Sequence, residues 1–190
     1  MQTSNENLLI NRSYVKQDLE VFYGVIPNWE QLDVKGIIEN YRKNNPQPKT
    51  SNVKAWHSGW DAHKRDPDFH PLIRLCEQFC YTAMGGLRTF PAPLVLIDFW
   101  CMQYDKGEHA VPHQHWPSTF AVCYYADVGD GCSPLRFRDG SEITPQNGMI
   151  IAFHGMITHE VPPTDSHRTC VAMNFAISTP QDLAEKRDER

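Results

Sequence analysis

The second half of the chain is a succession of short apolar segments separated by turn dipeptides, and this pattern constrains the fold most. Residues 94–104 are rich in branched and aromatic side chains, which favour a β-strand. Shorter segments of the same character follow at residues 119–126, 135–138, 149–153 and 169–177. The intervening turns are marked by Asp130-Gly131, Asp139-Gly140 and Asn147-Gly148. The sequence therefore predicts several short strands in an antiparallel arrangement.

The first half has helical periodicity instead. Residues 33–42 carry apolar side chains at helical spacing, and Pro46 and Pro48 stop that pattern. Residues 69–84 carry a second apolar face, and Gly85-Gly86 is a natural end to this helix. Helices followed by many short strands indicate an α+β protein, with a double-stranded β-helix (jelly roll) core and N-terminal supporting helices.

A chain of 190 residues suits a single domain. Within residues 1–190 we distinguish a mainly helical lead-in at 1–90 and a jelly-roll core at 91–178. A highly charged tail occupies 179–190. Two tryptophans of the lead-in, Trp56 and Trp60, and Trp116 of the core are candidates for lining a pocket or for core packing.

The composition argues against nucleic acids and membranes as partners. The net charge of −5 argues against broad nucleic-acid binding, which relies on a basic surface. No apolar run is long enough for a transmembrane helix, and the polar first residues lack the pattern of a secretory signal. We therefore expect a cytoplasmic protein without a membrane partner, in which the six cysteines are reduced and carry no assigned function.

Three histidines and one arginine stand out in the strand-rich half. His113 and His115 are two residues apart, so on an extended segment their imidazoles project from the same face. His159, from a distant strand, could complete one face of a metal ion and leave the other face open. Arg168 follows and could bind a carboxylate by a two-pronged contact. This combination favours a metal-dependent enzyme over a binding module.

Five segments of this half occur in a distinctive order. They are Tyr104-Asp105-Lys106-Gly107-Glu108, Pro112-His113-Gln114-His115, Val122-Cys123-Tyr124-Tyr125, the segment 147–153, and His159-Glu160-Val161 with Arg168. In that order they resemble the catalytic core of prolyl-hydroxylase-type 2-oxoglutarate- and iron(II)-dependent oxygenases. The resemblance covers residues 94–177 and does not extend to the first ninety residues.

The resemblance implies roles for individual residues. His113 and His159 would be iron ligands, and Arg168 would pair with the distal carboxylate of 2-oxoglutarate. Tyr125 matches a tyrosine that helps to hold this carboxylate, and Tyr104 matches one that lines the co-substrate pocket. The implied cofactors are Fe(II) and 2-oxoglutarate, with ascorbate as an additional candidate.

The implied activity is that of a dioxygenase. Such an enzyme uses O2 to hydroxylate a C–H bond of a small-molecule or peptide substrate, such as a prolyl residue or an amino acid, and releases succinate and CO2. The sequence contains no motif that names this substrate or the oligomeric state.

His115 is where the chain departs from the pattern, since the prolyl-hydroxylase segment has aspartate there. We assign His115 as the third metal ligand. The upstream carboxylates of Asp105 and Glu108 are alternatives, although neither has the two-residue spacing to His113. Replacing a carboxylate by an imidazole raises the net charge of an iron(II) centre by one unit.

Two other functions remain open at this point. One is a three-histidine metal oxygenase that uses no 2-oxoglutarate, in which Arg168 binds a carboxylate of the substrate. The other is a non-catalytic metal-binding jelly-roll protein.

Overall fold

A computed structural model of the chain describes residues 18–83 and 93–178. Two antiparallel β-sheets lie face to face, and helices cover the outer face of the larger sheet. The larger sheet has six strands in the order β1 (Val21–Val25), β9 (Met149–His154), β6 (Phe120–Val128), β11 (Arg168–Ile177), β4 (Leu94–Tyr104) and β3 (Trp56–His57). The smaller sheet has five strands in the order β2 (Val53–Lys54), β5 (His109–His113), β10 (His159–Val161), β7 (Leu135–Phe137) and β8 (Glu142–Ile143).

The helices are α1 (Val34–Asn44), α2 (Ala62–Arg65) and α3 (His70–Ala83). At the start of α1 the carboxylate of Asp33 accepts a hydrogen bond from the Gly36 N–H at 3.3 Å, so a side chain satisfies one free donor of the first turn. Both long helices lie within a residue or two of the predicted segments. Gly85-Gly86 and the charged tail 179–190 lie outside the described residues.

Strand β4 shows how the sequence produces the two layers. Side chains alternate along a strand, so Phe99 and Cys101 face the helices while Trp100, Met102 and Tyr104 face the smaller sheet. All five side chains are buried. Burial on both faces explains why this segment is mostly apolar, and the predicted bounds 94–104 match the strand.

The predicted α+β jelly roll is confirmed, and the turn glycines Gly131, Gly140 and Gly148 all have positive φ. Several strands were missed, above all β1 and the two-residue strands β2 and β3, which come from the first ninety residues. Two residues are too few to show an alternating pattern. In residues 18–83 and 93–178, no helix is long and apolar enough to cross a membrane.

Gly155 fixes the loop between β5 and β6. Its N–H donates to the carbonyl oxygen of Thr119 at 3.1 Å, and its own carbonyl accepts the His115 N–H at 2.8 Å. A Cβ at this position would collide with the backbone carbonyl of Ser118. The close approach of two backbones therefore requires glycine at this position. The same backbone contacts fix the position of His115.

We expect Gly155→Ala to lower the free energy of unfolding by about 1–3 kcal/mol, because the Ser118 backbone must move to admit the methyl group. Gly24→Ala is the matched control, since a Cβ at Gly24 would meet only a Phe79 ring carbon, at 3.6 Å. Urea unfolding of both variants checks this. Equal stability of the two variants would contradict the close approach at Gly155.

Candidate functional site

The structure brings the three predicted histidines together at one end of the smaller sheet. His113 ends β5 and His159 begins β10, where the two residues are directly paired across the strands. His115 follows two residues later in the loop held by Gly155. One ring nitrogen from each histidine lies within 4.8 Å of the other two. The spacing is that of a candidate metal site, and the role of the three residues as ligands remains a prediction.

Backbone contacts determine the tautomers of two rings. The Nδ1 atoms of His113 and His159 lie 2.8 Å from the Val111 carbonyl oxygen and 3.0 Å from the Ile157 carbonyl oxygen. A carbonyl oxygen only accepts, so each Nδ1 carries the hydrogen and donates it. The Nε2 atom of each neutral ring therefore keeps a free lone pair, which is the state that a metal ion requires.

The distance between the ring nitrogens of His115 and His159 also fits a bound metal ion. His115 Nε2 lies 3.3 Å from His159 Nε2. With metal–imidazole bonds of about 2.1 Å, two ligand nitrogens are about 3.0 Å apart at a right angle and about 3.4 Å apart at a tetrahedral angle. A cation between them would be bonded by both nitrogens. The residues present thus fit a divalent metal with nitrogen ligands.

Burial keeps these rings neutral. Burial, reinforced by the neighbouring His113, lowers the pKa of His115 to about 4 and that of His159 to about 3. Burial also lowers the pKa of His113, against the opposing effect of its bond to the Val111 carbonyl. At neutral pH all three imidazoles are therefore available as neutral ligands.

Arg168 lies in the same cavity, which has a volume of about 320 Å³ and is also lined by the three histidines. Only 1% of Arg168 is exposed. Its Nη2 donates to the Tyr125 hydroxyl at 3.1 Å, and its guanidinium carbon lies 4.9 Å from the Tyr125 ring centre and 5.6 Å from that of Tyr104. Its Nε and Nη1 atoms are buried without a hydrogen-bond partner in the described part of the chain.

A buried guanidinium without a carboxylate is energetically costly, because it has lost its hydration and gained no counter-charge. The tyrosines do not supply that charge. Burial raises the pKa of both Tyr104 and Tyr125 well above its usual value, although Arg168 opposes this effect. The unpaired N–H groups on Nε and Nη1 can each donate a hydrogen bond to an incoming carboxylate. The site is therefore complementary to an anionic ligand.

The pairing of β4 with β11 orders the wall of the cavity. Even-numbered residues line the cavity from Trp100 to Tyr104 on β4 and from Arg168 to Asn174 on β11. Cross-strand pairs run from the buried end to the more exposed end: Tyr104 with Arg168, Met102 with Cys170, Trp100 with Ala172, and Asn174 with Asp98, which lines an adjoining pocket. The centres of the Trp100 and His115 rings are 5.6 Å apart. The histidines therefore lie nearer the middle of this series than Arg168 does.

The other sequence candidates fall into two groups. Asp105 and Glu108 do not line the cavity, because the Glu108 carboxylate folds back to accept the Asp105 N–H at 2.7 Å. Of the tryptophans, Trp60 lines the cavity, whereas Trp56 is buried and donates to a loop carbonyl. Trp116 is exposed and lines an adjoining pocket.

The residues of the cavity wall that sequence reasoning missed include His57, Trp100 and Asn174. The parity of residue numbers along β4 and β11 was a usable signal for two of them. Trp100 has the parity of Tyr104, and Asn174 has that of Arg168. His57 offered no such signal, since β3 has only two residues.

Solved structures share this fold. A Pseudomonas putida prolyl-4-hydroxylase superposes with a TM-score of 0.63 at 16% identity, covering 84% of this chain and 93% of that one. The non-heme α-ketoglutarate-dependent carbocyclase SnoK from nogalamycin biosynthesis gives 0.64 at 11% identity, covering 88% and 85%. A Trichoplax adhaerens prolyl hydroxylase, in complex with a hypoxia-inducible-factor peptide, gives 0.54 at 13%, covering 86% of each chain. No protein-family model and no curated protein matches the sequence. These likenesses show the fold.

We expect the metal-free protein to lose stability on acidification. Unfolded histidines titrate near ~6.5, so below that pH the unfolded chain binds protons that His115 and His159 refuse in the folded state. The free energy of unfolding should fall from about pH 6.5 downward, by up to about 1.4 kcal/mol per pH unit for each of the two histidines. Urea unfolding at a series of pH values measures the slope. His115→Gln should reduce it, and an unchanged slope in that variant would contradict the buried neutral state.

Proposed function

We propose that the protein is an Fe(II)- and 2-oxoglutarate-dependent dioxygenase that hydroxylates a C–H bond of a small-molecule or peptide substrate, releasing succinate and CO2. One observation carries this proposal. The buried, unpaired N–H groups of Arg168 share a cavity of about 320 Å³ with three neutral histidines. A dicarboxylate that chelates a metal at one end and meets a guanidinium at the other satisfies both halves of the site.

In this proposal His113, His115 and His159 hold the metal through their Nε2 atoms. The backbone carbonyls that accept from Nδ1 of His113 and His159 fix both rings in the ligating orientation. Iron(II) bound there with 2-oxoglutarate supplies the oxygen activation that couples oxidative decarboxylation to C–H hydroxylation. Because all three ligands are neutral, the protein leaves the charge of the ion uncompensated, which favours a dianionic co-substrate.

Arg168 binds the distal carboxylate through its unpaired N–H groups. Tyr125 already accepts from Arg168 Nη2, so its own hydroxyl hydrogen remains to donate to the same carboxylate. Tyr104 supplies a ring against the guanidinium, while its hydroxyl contacts the Met102 sulfur at 3.4 Å. Together these groups orient the co-substrate before any reaction, which lowers the entropic part of the barrier.

Apolar side chains separate the guanidinium from solvent. Met102, Cys170 and Val161 line the cavity and are each buried to more than nine tenths. Excluding water strengthens the contact between Arg168 and a carboxylate.

One observation favours a second candidate. His115 occupies the position where the prolyl-hydroxylase pattern has a carboxylate, and a three-histidine oxygenase without 2-oxoglutarate has such a ligand set. Arg168 would then bind a carboxylate of the substrate itself. Oxygen consumption without succinate would favour this function, and succinate formation after anaerobic iron loading would exclude it. If neither oxygen consumption nor succinate formation is detected, a non-catalytic metal-binding protein remains.

We expect His115→Asp to keep iron bound and to retain or raise the rate of succinate formation, because aspartate restores the ligand set of the resembled family. His113→Ala and His159→Ala should abolish it, since each leaves two ligands. Iron content after anaerobic desalting and succinate yield measure the two effects separately. Complete loss in His115→Asp, equal to that of the alanine variants, would show that His115 does more than fill a coordination position.

Substitution of Arg168 tests whether the protein binds 2-oxoglutarate through this residue. Removing one partner of a buried charge pair costs about 2–5 kcal/mol, so Arg168→Ala should weaken 2-oxoglutarate binding by about 30- to 4000-fold. Lysine should restore only part of the affinity, because a point charge cannot replace the guanidinium fork. Titration of 2-oxoglutarate into the anaerobic Fe(II) protein, followed by metal-to-ligand absorption, measures the affinity.

Arg136→Ala is the matched control. Arg136 is exposed and pairs with Glu142 and Glu160 outside the cavity, so its loss should leave 2-oxoglutarate binding unchanged. Iron content should stay the same in all variants. Unchanged 2-oxoglutarate affinity in Arg168→Ala would remove the main support for this function.

A further inference from the structure

Asp98 and Asn174 form a cross-strand pair at the more exposed end of the cavity wall. The Asn174 Nδ2 atom donates to Asp98 Oδ2 at 3.1 Å, and the two residues are direct partners between β4 and β11. This bond fixes the orientation of the amide, because a carboxylate oxygen cannot donate. The Asn174 Oδ1 atom therefore lies on the other side, where it is buried and lacks any donor in the described segments. Only 6% of Asn174 is exposed.

The pair lies next to the proposed metal ligands. Asn174 lines the main cavity and also an adjoining pocket of about 320 Å³, which Asp98 and Trp116 line as well. His115 and Gln114 line both pockets. The adjoining pocket thus shares His115, Gln114 and Asn174 with the end of the main cavity opposite Arg168.

The charge at this end is negative and uncompensated. Within residues 18–83 and 93–178, no lysine or arginine lies within ion-pair distance of Asp98. His63 feels the charge of Asp98, yet burial lowers the pKa of His63, so this ring stays neutral at neutral pH. The carboxylate of Asp98 and the free Asn174 oxygen both accept hydrogen bonds and donate none.

Indole rings line the same pockets as these acceptors: Trp60 lines the main cavity with Asn174, and Trp116 lines the adjoining pocket with Asp98 and Asn174. The Trp60 carbonyl accepts the Phe99 N–H at 2.9 Å, which places Trp60 beside the strand position of Asp98. Trp60 is 45% exposed and Trp116 is 68% exposed, which is unusual for the largest aromatic side chain. The face of an indole attracts a cation, and the attraction grows as the cation loses water.

We propose that this end of the cavity is the site of the hydroxylation substrate, and that it recognises a cationic nitrogen such as the ammonium of a lysine side chain or the guanidinium of an arginine side chain. This inference rests on the proposed oxygenase function. A cation offers several N–H donors, which satisfy both Asp98 and the Asn174 oxygen, and a charge that the carboxylate and the indole faces stabilise. A prolyl ring within a peptide has neither a charge nor a donor to offer.

The test uses the full chain loaded with Zn(II) and 2-oxoglutarate, so that binding is measured without turnover. The probes are Nα-acetyl-lysine methylamide and Nα-acetyl-arginine methylamide, and the neutral comparators are the norleucine and proline analogues. Isothermal titration calorimetry, with tryptophan fluorescence as a second readout, should show at least one cationic probe binding about tenfold or more tightly than both neutral ones. Whether lysine or arginine binds more tightly identifies the kind of cation.

Substitutions test whether Asp98 and Asn174 cause the preference for cationic probes. Asp98→Asn keeps the shape and should erase the preference for cations, whereas Asp98→Glu should keep part of it. Asn174→Ala should weaken the cationic probes and leave the neutral ones unchanged. Asp68→Asn is the matched control, because it removes one exposed carboxylate that lines neither pocket. Circular dichroism and 2-oxoglutarate affinity, measured on each variant, report on its fold and on the Arg168 end of the site.

Equal affinity for cationic and neutral probes, or a cation preference that survives Asp98→Asn, would overturn this inference. Either result would leave the oxygenase function standing if 2-oxoglutarate still binds in an Arg168-dependent manner. Conversely, an Asp98-dependent cation site in a protein that does not bind 2-oxoglutarate would refute the 2-oxoglutarate-dependent function and leave the recognition chemistry intact.

Discussion

The site depends on the register between β4 and β11. That register places Tyr104 opposite Arg168 and Asp98 opposite Asn174. Tyr104, Arg168 and Asn174 line the main cavity, and Asp98 lines the adjoining pocket. Because side chains alternate along a strand, a slip of one residue would turn Arg168 into the helix-facing core and an apolar neighbour into the cavity. Apolar residues such as Phe99 on the opposite face of β4 oppose such a slip, since they would be exposed to the polar cavity. Packing of apolar side chains on the helix-facing side of the sheet thus determines which side chains line the cavity on the other side.

The cavity retains unsatisfied electrostatics that a site built only for stability would lack. Arg168 is buried with unpaired N–H groups on Nε and Nη1, and the neutral rings of His113 and His159 each keep an Nε2 lone pair at the site. Each arrangement costs free energy in the ligand-free protein and is relieved by a ligand of the opposite character. A cation at the histidines and an anion at Arg168 relieve both, so the two ligands should stabilise the fold as well as each other's binding.

The sequence predicted what depends on local pattern. The strand at residues 94–104 was predicted because burial on both faces makes its sequence mostly apolar. The histidines were singled out because the two-residue spacing of His113 and His115 is visible in the sequence. It could not predict that Trp60 rather than Trp56 lines the cavity, since this depends on how β3 meets β4. The pairing of Asp98 with Asn174 was also hidden, because these residues are far apart in sequence and only the strand register brings them together.

The order of charges along the cavity gives it a direction. Arg168 and Asn174 are six residues apart on β11, which is about 20 Å in an extended strand, and this exceeds the length of a five-carbon diacid. An anion drawn to Arg168 therefore cannot also occupy the pocket beside Asp98, where the carboxylate repels it. A cationic group is excluded from the Arg168 end for the corresponding reason. In the proposed function, opposite charges at the two ends would direct two ligands to two places on either side of the histidines, without any moving part.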